Sequence, residues 1–234
     1  MIFNCVWEHN GDDSLMYVSE LPGAYTRGTS REIALEKMPI EISAYLKWCS
    51  RPIPTSIEVV ILQETQSDLQ ICDADSDVIL ESEKTQLTMT EYIQLKQLAL
   101  KSAEDFQLLY DSVPDKFLSA LPARGTFYGT VPRTAQEMYE HTKNVNAYYF
   151  GEIGVDADNS GTILECRERG FAVLEGKDNF LDNGVVIGSY GESWSLRKVI
   201  RRFIWHDRIH AKAMYRMAQK TFGYDHVRNV FGFE

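Results

Sequence analysis

The chain has 234 residues, of which 44% are hydrophobic and 25% charged, and its formal net charge is −10. That length carries one large domain or two modest ones, and the composition is that of a folded globular protein. The acidic balance argues against broad nucleic-acid binding and against contact with anionic membranes.

No apolar run reaches the length of a membrane span, and Met1-Ile2-Phe3-Asn4 has neither a basic start nor a following apolar core. Both features point to a cytoplasmic protein. Cys5, Cys49, Cys72 and Cys166 lie far apart and make no CxxC pair. They read as buried free thiols, not as a zinc ribbon or a disulfide framework.

Ile2 to Glu8 and Leu15 to Glu20 alternate apolar and polar residues around the turn-forming His9-Asn10-Gly11-Asp12-Asp13. This pattern predicts a β-hairpin with a loop of about five residues. Leu21-Pro22-Gly23 ends the second strand. Thr29 with Glu32 forms a capping box for a helix through Ala34 and Leu35, and Pro39 predicts a kink or two short helices up to Trp48. Ile57 to Leu62 is a strand. The unit is a small α+β module of β-β-α-β order over residues 1–72, in which His9 has no titratable partner nearby in sequence.

Tyr17-Val18-Ser19-Glu20-Leu21-Pro22-Gly23, then Gly28-Thr29, then Ala34-Leu35 resemble the HicB-type antitoxin domain over roughly residues 1–70. The resemblance implies a degenerate ribonuclease-H-like fold that mediates association with itself or with a protein partner. No acidic constellation suited to nuclease chemistry accompanies it.

The acidic stretch Cys72-Asp73-Ala74-Asp75-Ser76-Asp77, with Glu81 and Glu83, marks a linker over residues 73–86. Neither this stretch nor Asp156-Ala157-Asp158-Asn159-Ser160-Gly161 completes a calcium loop. The twelfth positions are Lys84 and Arg167, so both read as solvated loops.

Residues 87–234 carry four helical segments and predict an all-α four-helix bundle. Thr88 and Glu91 cap the first, which runs towards Pro114. The second begins near Pro132 and reaches about Glu152, and Thr162 with Glu165 opens a third ending near Gly176. The fourth starts at Ser193 or Ser195 and runs to about Thr221. Loops around 114–130 and 177–193 are long enough to carry functional residues.

In the last helix the apolar seam steps through Leu196, Val199, Phe203, His206, His210, Ala213 and Met217. Two histidines four residues apart stack on one face, and here that face is the bundle interior. Such pairs also arise by chance and as satisfied core histidines. The second helix has a matching seam of Ala135, Met138, His141, Val145 and Tyr148, which adds a third inward imidazole. Three histidines leave coordination positions open on a divalent metal ion, as at catalytic sites. Zinc is the default, although nickel, copper and iron suit imidazole equally.

Glu140-His141-Thr142 followed much later by His206-Asp207-Arg208-Ile209-His210 resembles the DinB/YfiT superfamily over roughly residues 85–234. The resemblance implies that His141, His206 and His210 ligate zinc, nickel or another divalent ion. It also implies a homodimer, and an activity among thiol-dependent S-transferases using bacillithiol, mycothiol or glutathione, maleylpyruvate isomerase or related hydrolase chemistry. On this reading the chain is a metal-dependent enzyme in which a metal-activated thiolate or water attacks an electrophilic small molecule. The alternative is a non-enzymatic metal- or ligand-binding regulatory protein that associates with a partner through its N-terminal module.

The remaining candidates are weaker. Basic residues Arg197, Arg201, Arg208, Lys212 and Arg216 read as a solvated face pairing with acidic neighbours, with Arg208 the nearest candidate for holding an anionic substrate or thiol cofactor. Asp207 reads as a surface group or as one supporting a ligand. Glu137, Asn144 and Tyr148 lie one or two turns from His141, and His226 is an outlying extra ligand.

Overall fold

A computed structural model of the chain describes residues 1–126 and 129–233. Strands β1 (Ile2–Asn10) and β2 (Asp13–Val18) form the expected hairpin, but the turn is two residues, Gly11 at φ 59° and Asp12, in place of a loop of about five. A short strand absent from the sequence reading, β3 (Tyr25–Gly28), extends the sheet beyond β2. After helix α1 (Arg31–Trp48), strand β4 (Glu58–Gln66) returns parallel to β1, and the sheet order is β3-β2-β1-β4. The module is therefore β-β-β-α-β. The β1–β4 register shifts between Cys5 and Val6, so Leu62 has no partner there and is exposed.

Two local expectations for α1 are corrected. Pro39 does not divide it into two helices, and the N-cap is Ser30, whose hydroxyl accepts from Ile33 N, in place of Thr29. The buried residues Ala34, Met38, Ile42, Tyr45 and Leu46 recur at helical spacing, so packing against the sheet outweighs the bond lost at proline.

The helical part contains α2 (Met89–Ser112), α3 (Ala135–Glu152), α4 (Ile163–Glu175) and α5 (Leu196–Phe222). Capping boxes Thr88/Glu91 and Thr162/Glu165 open α2 and α4 as expected. Helix α3 starts later than the sequence implied: Thr134 is its N-cap, with Glu137 completing the box, and Pro132 lies outside. The long loops hold two short antiparallel pairs, β5 (Gly125–Thr126) with β6 (Gly129–Thr130) and β7 (Val186–Ile187) with β8 (Ser193–Trp194). Phe127 and Tyr128, in the first of these loops, lie outside the described residues.

Helix α5 organises the molecule. It packs against α2 and α3 on one side and against the sheet module on the other, and one core cluster runs from Phe3 and Met16 through Tyr45 to Phe203 and Met214. The Leu21-Pro22-Gly23 turn is where the module meets α5. A Cβ on Gly23 would lie 2.5 Å from Ile204 Cγ2, and its φ of 85° also favours glycine. Trp205 inserts edge-on between Tyr17 and Tyr25 of the sheet, with ring centroids 6.1 and 6.2 Å away.

Burial of α5 on both sides overturns the solvated-face reading for Arg201 and Arg208, whereas Arg216 is exposed and the half-buried Arg197 pairs with Glu91. Arg201 donates to Glu83 at 2.5 and 3.2 Å, and Arg208 to Glu41 at 2.6 Å, with every partner buried. Lys198 pairs with Glu192 at 2.8 Å. Asp207 is fully buried and takes a two-pronged ion pair from Arg167 of α4 at 2.5 and 3.1 Å. It is neither a surface group nor part of the histidine cluster.

The acidic 73–86 stretch is likewise packed, not solvated, along part of its length. Ser76, Val78, Leu80 and Glu83 are buried, and the Glu8 carboxylate accepts from Ser76 Oγ and from the backbone N–H groups of Asp77 and Val78. The cysteines divide: Cys5 and Cys166 are buried, Cys49 half-buried and Cys72 exposed, all free. None of the described helices is long and apolar enough to cross a membrane.

Candidate metal centre

The three histidines converge. One ligand nitrogen from each of His141, His206 and His210 lies within 4.8 Å of the others. Ring centroids are 5.1 Å apart for His141 and His206, 4.6 Å for His141 and His210, and 4.5 Å for His206 and His210. The last pair follows from the i, i+4 spacing on α5, which stacks both rings on one face. His141 comes from α3, whose packing on α5 brings the third ring in.

The burial of these rings differs from the sequence expectation. His206 is buried and His210 half-buried, but His141 is exposed and stands at the edge of the α3–α5 contact. The buried stripe of α3 runs through Ala135, Met138, Thr142, Asn146 and Tyr149, one position beyond the seam inferred from apolar spacing. Thr142 and Asn146 occupy it because their side-chain donors find acceptors inside. Thr142 donates to the Met138 carbonyl, and Asn146 to those of Asp158 and Cys166.

The cluster is a preformed set of neutral donors. Burial holds His206 well below the ordinary imidazole value, with repulsion from His210 and His141 adding to it, and burial takes His210 down to about 3; His141, exposed over the residue as a whole, is lowered by the partial desolvation of its ring against its neighbours. Nδ1 of His206 is buried with no hydrogen-bond partner. An unmet buried polar atom costs about 1–3 kcal/mol, which a bound cation would offset. No carboxylate or thiol joins the three histidines among the described residues, so the donor set is all-imidazole. That set suits zinc, nickel, copper and iron and leaves a tetrahedral ion at least one open position.

The cluster faces a cavity of about 480 Å³, within the range of small-molecule sites. Its walls come from the whole chain: Arg27 from β3, Asp73 and Asp75 from the acidic stretch, Arg133 and Met138 around the start of α3, and Trp205 from α5. Tyr149 and Arg202 also line it. Arg202 had a legible signal, being one turn before His206 on the same face of α5. Arg27 and Asp75 had none, because they lie far from every one of the histidines in sequence.

The other sequence candidates lie elsewhere. Arg208 is sealed between Glu41 and the rings of Tyr45 and Trp48, so it is not an anion-holding residue of this cavity. The Glu137 carboxylate accepts from Arg133 N and Thr134 N as a cap, Asn144 binds Asn159 through its carbonyl, and Tyr148 packs edge-on against Trp194. His226 is exposed in a one-turn 3-10 helix, outside the cluster. His9 stacks on Trp7 and meets Glu64 at 3.3 Å.

Comparison of the chain with models of known protein families, with curated protein sequences and with solved structures finds no match.

Proposed function

We propose that the chain is a divalent-metal-dependent enzyme of the DinB/YfiT type, acting on an electrophilic small molecule with a thiol or water as the nucleophile. The observation that carries this reading is the set of three histidine nitrogens within 4.8 Å of one another beside a cavity of about 480 Å³. His141, His206 and His210 would hold the ion, and zinc remains the default. A closed structural site would bury all its ligands and have no cavity, whereas His141 is exposed here. When bound, the ion supplies Lewis acidity that makes a thiol or water nucleophilic near neutral pH.

The protein's own groups divide the remaining work. His206 and His210 are neutral because of burial, so no proton has to leave them before they ligate. Asp73 is tied to Arg124, but Asp75 has no ion-pair partner among the described residues. Burial raises the Asp75 carboxyl above its ordinary value, which suits it to accept a proton from the nucleophile. The apolar walls, among them Leu121, Pro132 and Ile209, limit water around the substrate. The HicB-like resemblance supports reading the sheet module as an association unit as well, in this case one whose first partner is α5 of its own chain.

The test is elemental analysis of protein purified without an affinity tag. About one equivalent of metal per chain is expected, with loss of it in H206A/H210A while the far-ultraviolet circular dichroism is retained. Less than about a tenth of an equivalent in the wild type, after incubation with excess zinc, would remove the basis of the proposal.

A further inference from the structure

The cavity over the histidine cluster is positively charged in a protein whose net charge is −10. Arg27, Arg124, Arg133, Arg202, Arg216 and Lys220 line it, against the two carboxylates of Asp73 and Asp75. Several of these cations have work within the fold. Arg124 pairs with Asp73, Arg27 donates to the Cys72 carbonyl, and Arg202 donates to the Ser76 carbonyl at 2.5 Å.

Two half-buried guanidinium groups of the cavity form no direct ion pair among the described residues. Neither Arg133 nor Arg202 has a carboxylate within 4.0 Å among the described residues, and Nε of each is buried without an acceptor. The other buried cations of α5 contrast with them: Lys198, Arg201 and Arg208 each meet a glutamate. Arg202 is held by the Ser76 carbonyl and the rings of Tyr149, Trp194 and Trp205, whereas the Arg133 guanidinium has no partner among the described residues, and both keep an unmet Nε–H for an incoming anion. Arg202 is also correctly placed. It precedes His206 by four residues, about 6 Å along the helix, on the stripe that His206 and His210 share.

We propose that this cavity binds a small organic anion with an apolar body, its carboxylate, sulfonate or phosphate group set against Arg133 and Arg202 and its reacting end over the histidines. The apolar body is met by Leu121, Val131, Pro132, Met138 and Ile209, and the exposed rim cations Arg216 and Lys220 draw the anion in. Planar guanidinium groups pair with such anions through two parallel hydrogen bonds, which fixes orientation as well as charge. The inference rests on reading the cavity as the substrate site, and its test is independent of catalysis.

The probes are 8-anilinonaphthalene-1-sulfonate and its uncharged analogue N-phenyl-1-naphthylamine, titrated by fluorescence into the zinc-supplemented full-length protein. The anionic probe is expected to saturate at one site and to bind at least about tenfold more tightly than the neutral one, because a charge-assisted hydrogen bond contributes about 1.5–3 kcal/mol. R133Q should lower anionic-probe affinity about tenfold and leave neutral-probe affinity unchanged. R169Q, which alters an exposed pair with Asp158, should change neither. Competition by benzoate but not by benzyl alcohol gives the same answer on unaltered protein, should R133Q fold poorly. Equal binding of the two probes, or wild-type affinity in R133Q, would overturn the proposal. H206A/H210A separates the two readings: if the anionic preference persists without zinc, the arginines carry it even where the metal assignment has failed. If the preference disappears with the metal, the ion and not the arginines carried it, and the inference falls.

Discussion

Replacing Asp207 by alanine isolates the largest electrostatic commitment in the helical core. Asp207 and Arg167 are both fully buried, joined at 2.5 and 3.1 Å, and Arg167 also lies over the Phe203 ring at 4.3 Å. Without the carboxylate, Arg167 retains among the described residues only the Ala99 carbonyl at 3.3 Å as a hydrogen-bond acceptor. Leaving one charge of such a pair unpaired costs about 3–5 kcal/mol, a large share of the roughly 5–15 kcal/mol that keeps a domain folded. With a urea dependence of about 3 kcal/mol per molar, the unfolding midpoint of D207A should fall by about 1–2 M. The paired replacement R167M/D207L removes both charges and keeps apolar volume, so it should recover most of that loss. A D207A midpoint within about 0.3 M of wild type, or a double variant no more stable than D207A, would show that the pair does not carry the predicted load.

Two further outcomes follow from the site and its packing. The metal-free protein should lose stability as pH falls below about 6.5, the ordinary imidazole value, because the unfolded chain then takes up protons that the low folded-state values of His206 and His210 refuse. The slope should approach about 1.4 kcal/mol per pH unit for each histidine and continue down towards the folded value of about 3 for His210, and urea titrations of H206A/H210A should be correspondingly flatter. In α4, G170A should destabilise by about 1–3 kcal/mol by thermal unfolding, although alanine is the better helix former. Its Cβ would lie 2.8 Å from Phe150 Cζ and nearer still to Cδ2 and Cε2, so an unchanged melting temperature would mean that the Phe150 ring can move aside.

What the sequence could and could not reveal divides by the range of the interaction. Thr88 with Glu91 and Thr162 with Glu165 were legible because a capping box is complete within four residues. His206 and His210 were legible for the same reason. His141 was found through an apolar seam that is displaced by one position in the folded chain, since Thr142 and Asn146 are buried there with internal acceptors. Apolar spacing cannot register a buried polar residue whose partner lies elsewhere. The same limit hid the character of α5: its lysine and arginine residues resemble a solvent face until Glu41, Glu83 and Glu192 are seen against them. A division of α1 at Pro39 was the opposite case, because the local cost of a helix-interior proline was visible and the packing that keeps the helix continuous was not.

Those buried pairs also bear on why a sheet module and a helical part occur in one chain. Arg208 of α5 depends on Glu41 of α1, Arg201 on Glu83 of the acidic stretch, and Trp205 on Tyr17 and Tyr25 of the sheet. Each of these α5 residues lies within five positions of His206. Without the module, α5 would expose its Trp205 side and leave Arg208 uncompensated next to the histidine pair, at a cost comparable with the whole stability of a small domain. The same module supplies Arg27 and continues into the Asp73–Asp75 wall of the cavity. A bundle with three histidines could hold an ion by itself, but the chamber that would select a substrate for that ion is built jointly. If the cavity is the substrate site proposed above, its specificity would reside in the contact between the two parts, and changes to the Leu21-Pro22-Gly23 turn that seats the sheet on Ile204 would bear on it as directly as changes to the helices that carry the three histidines.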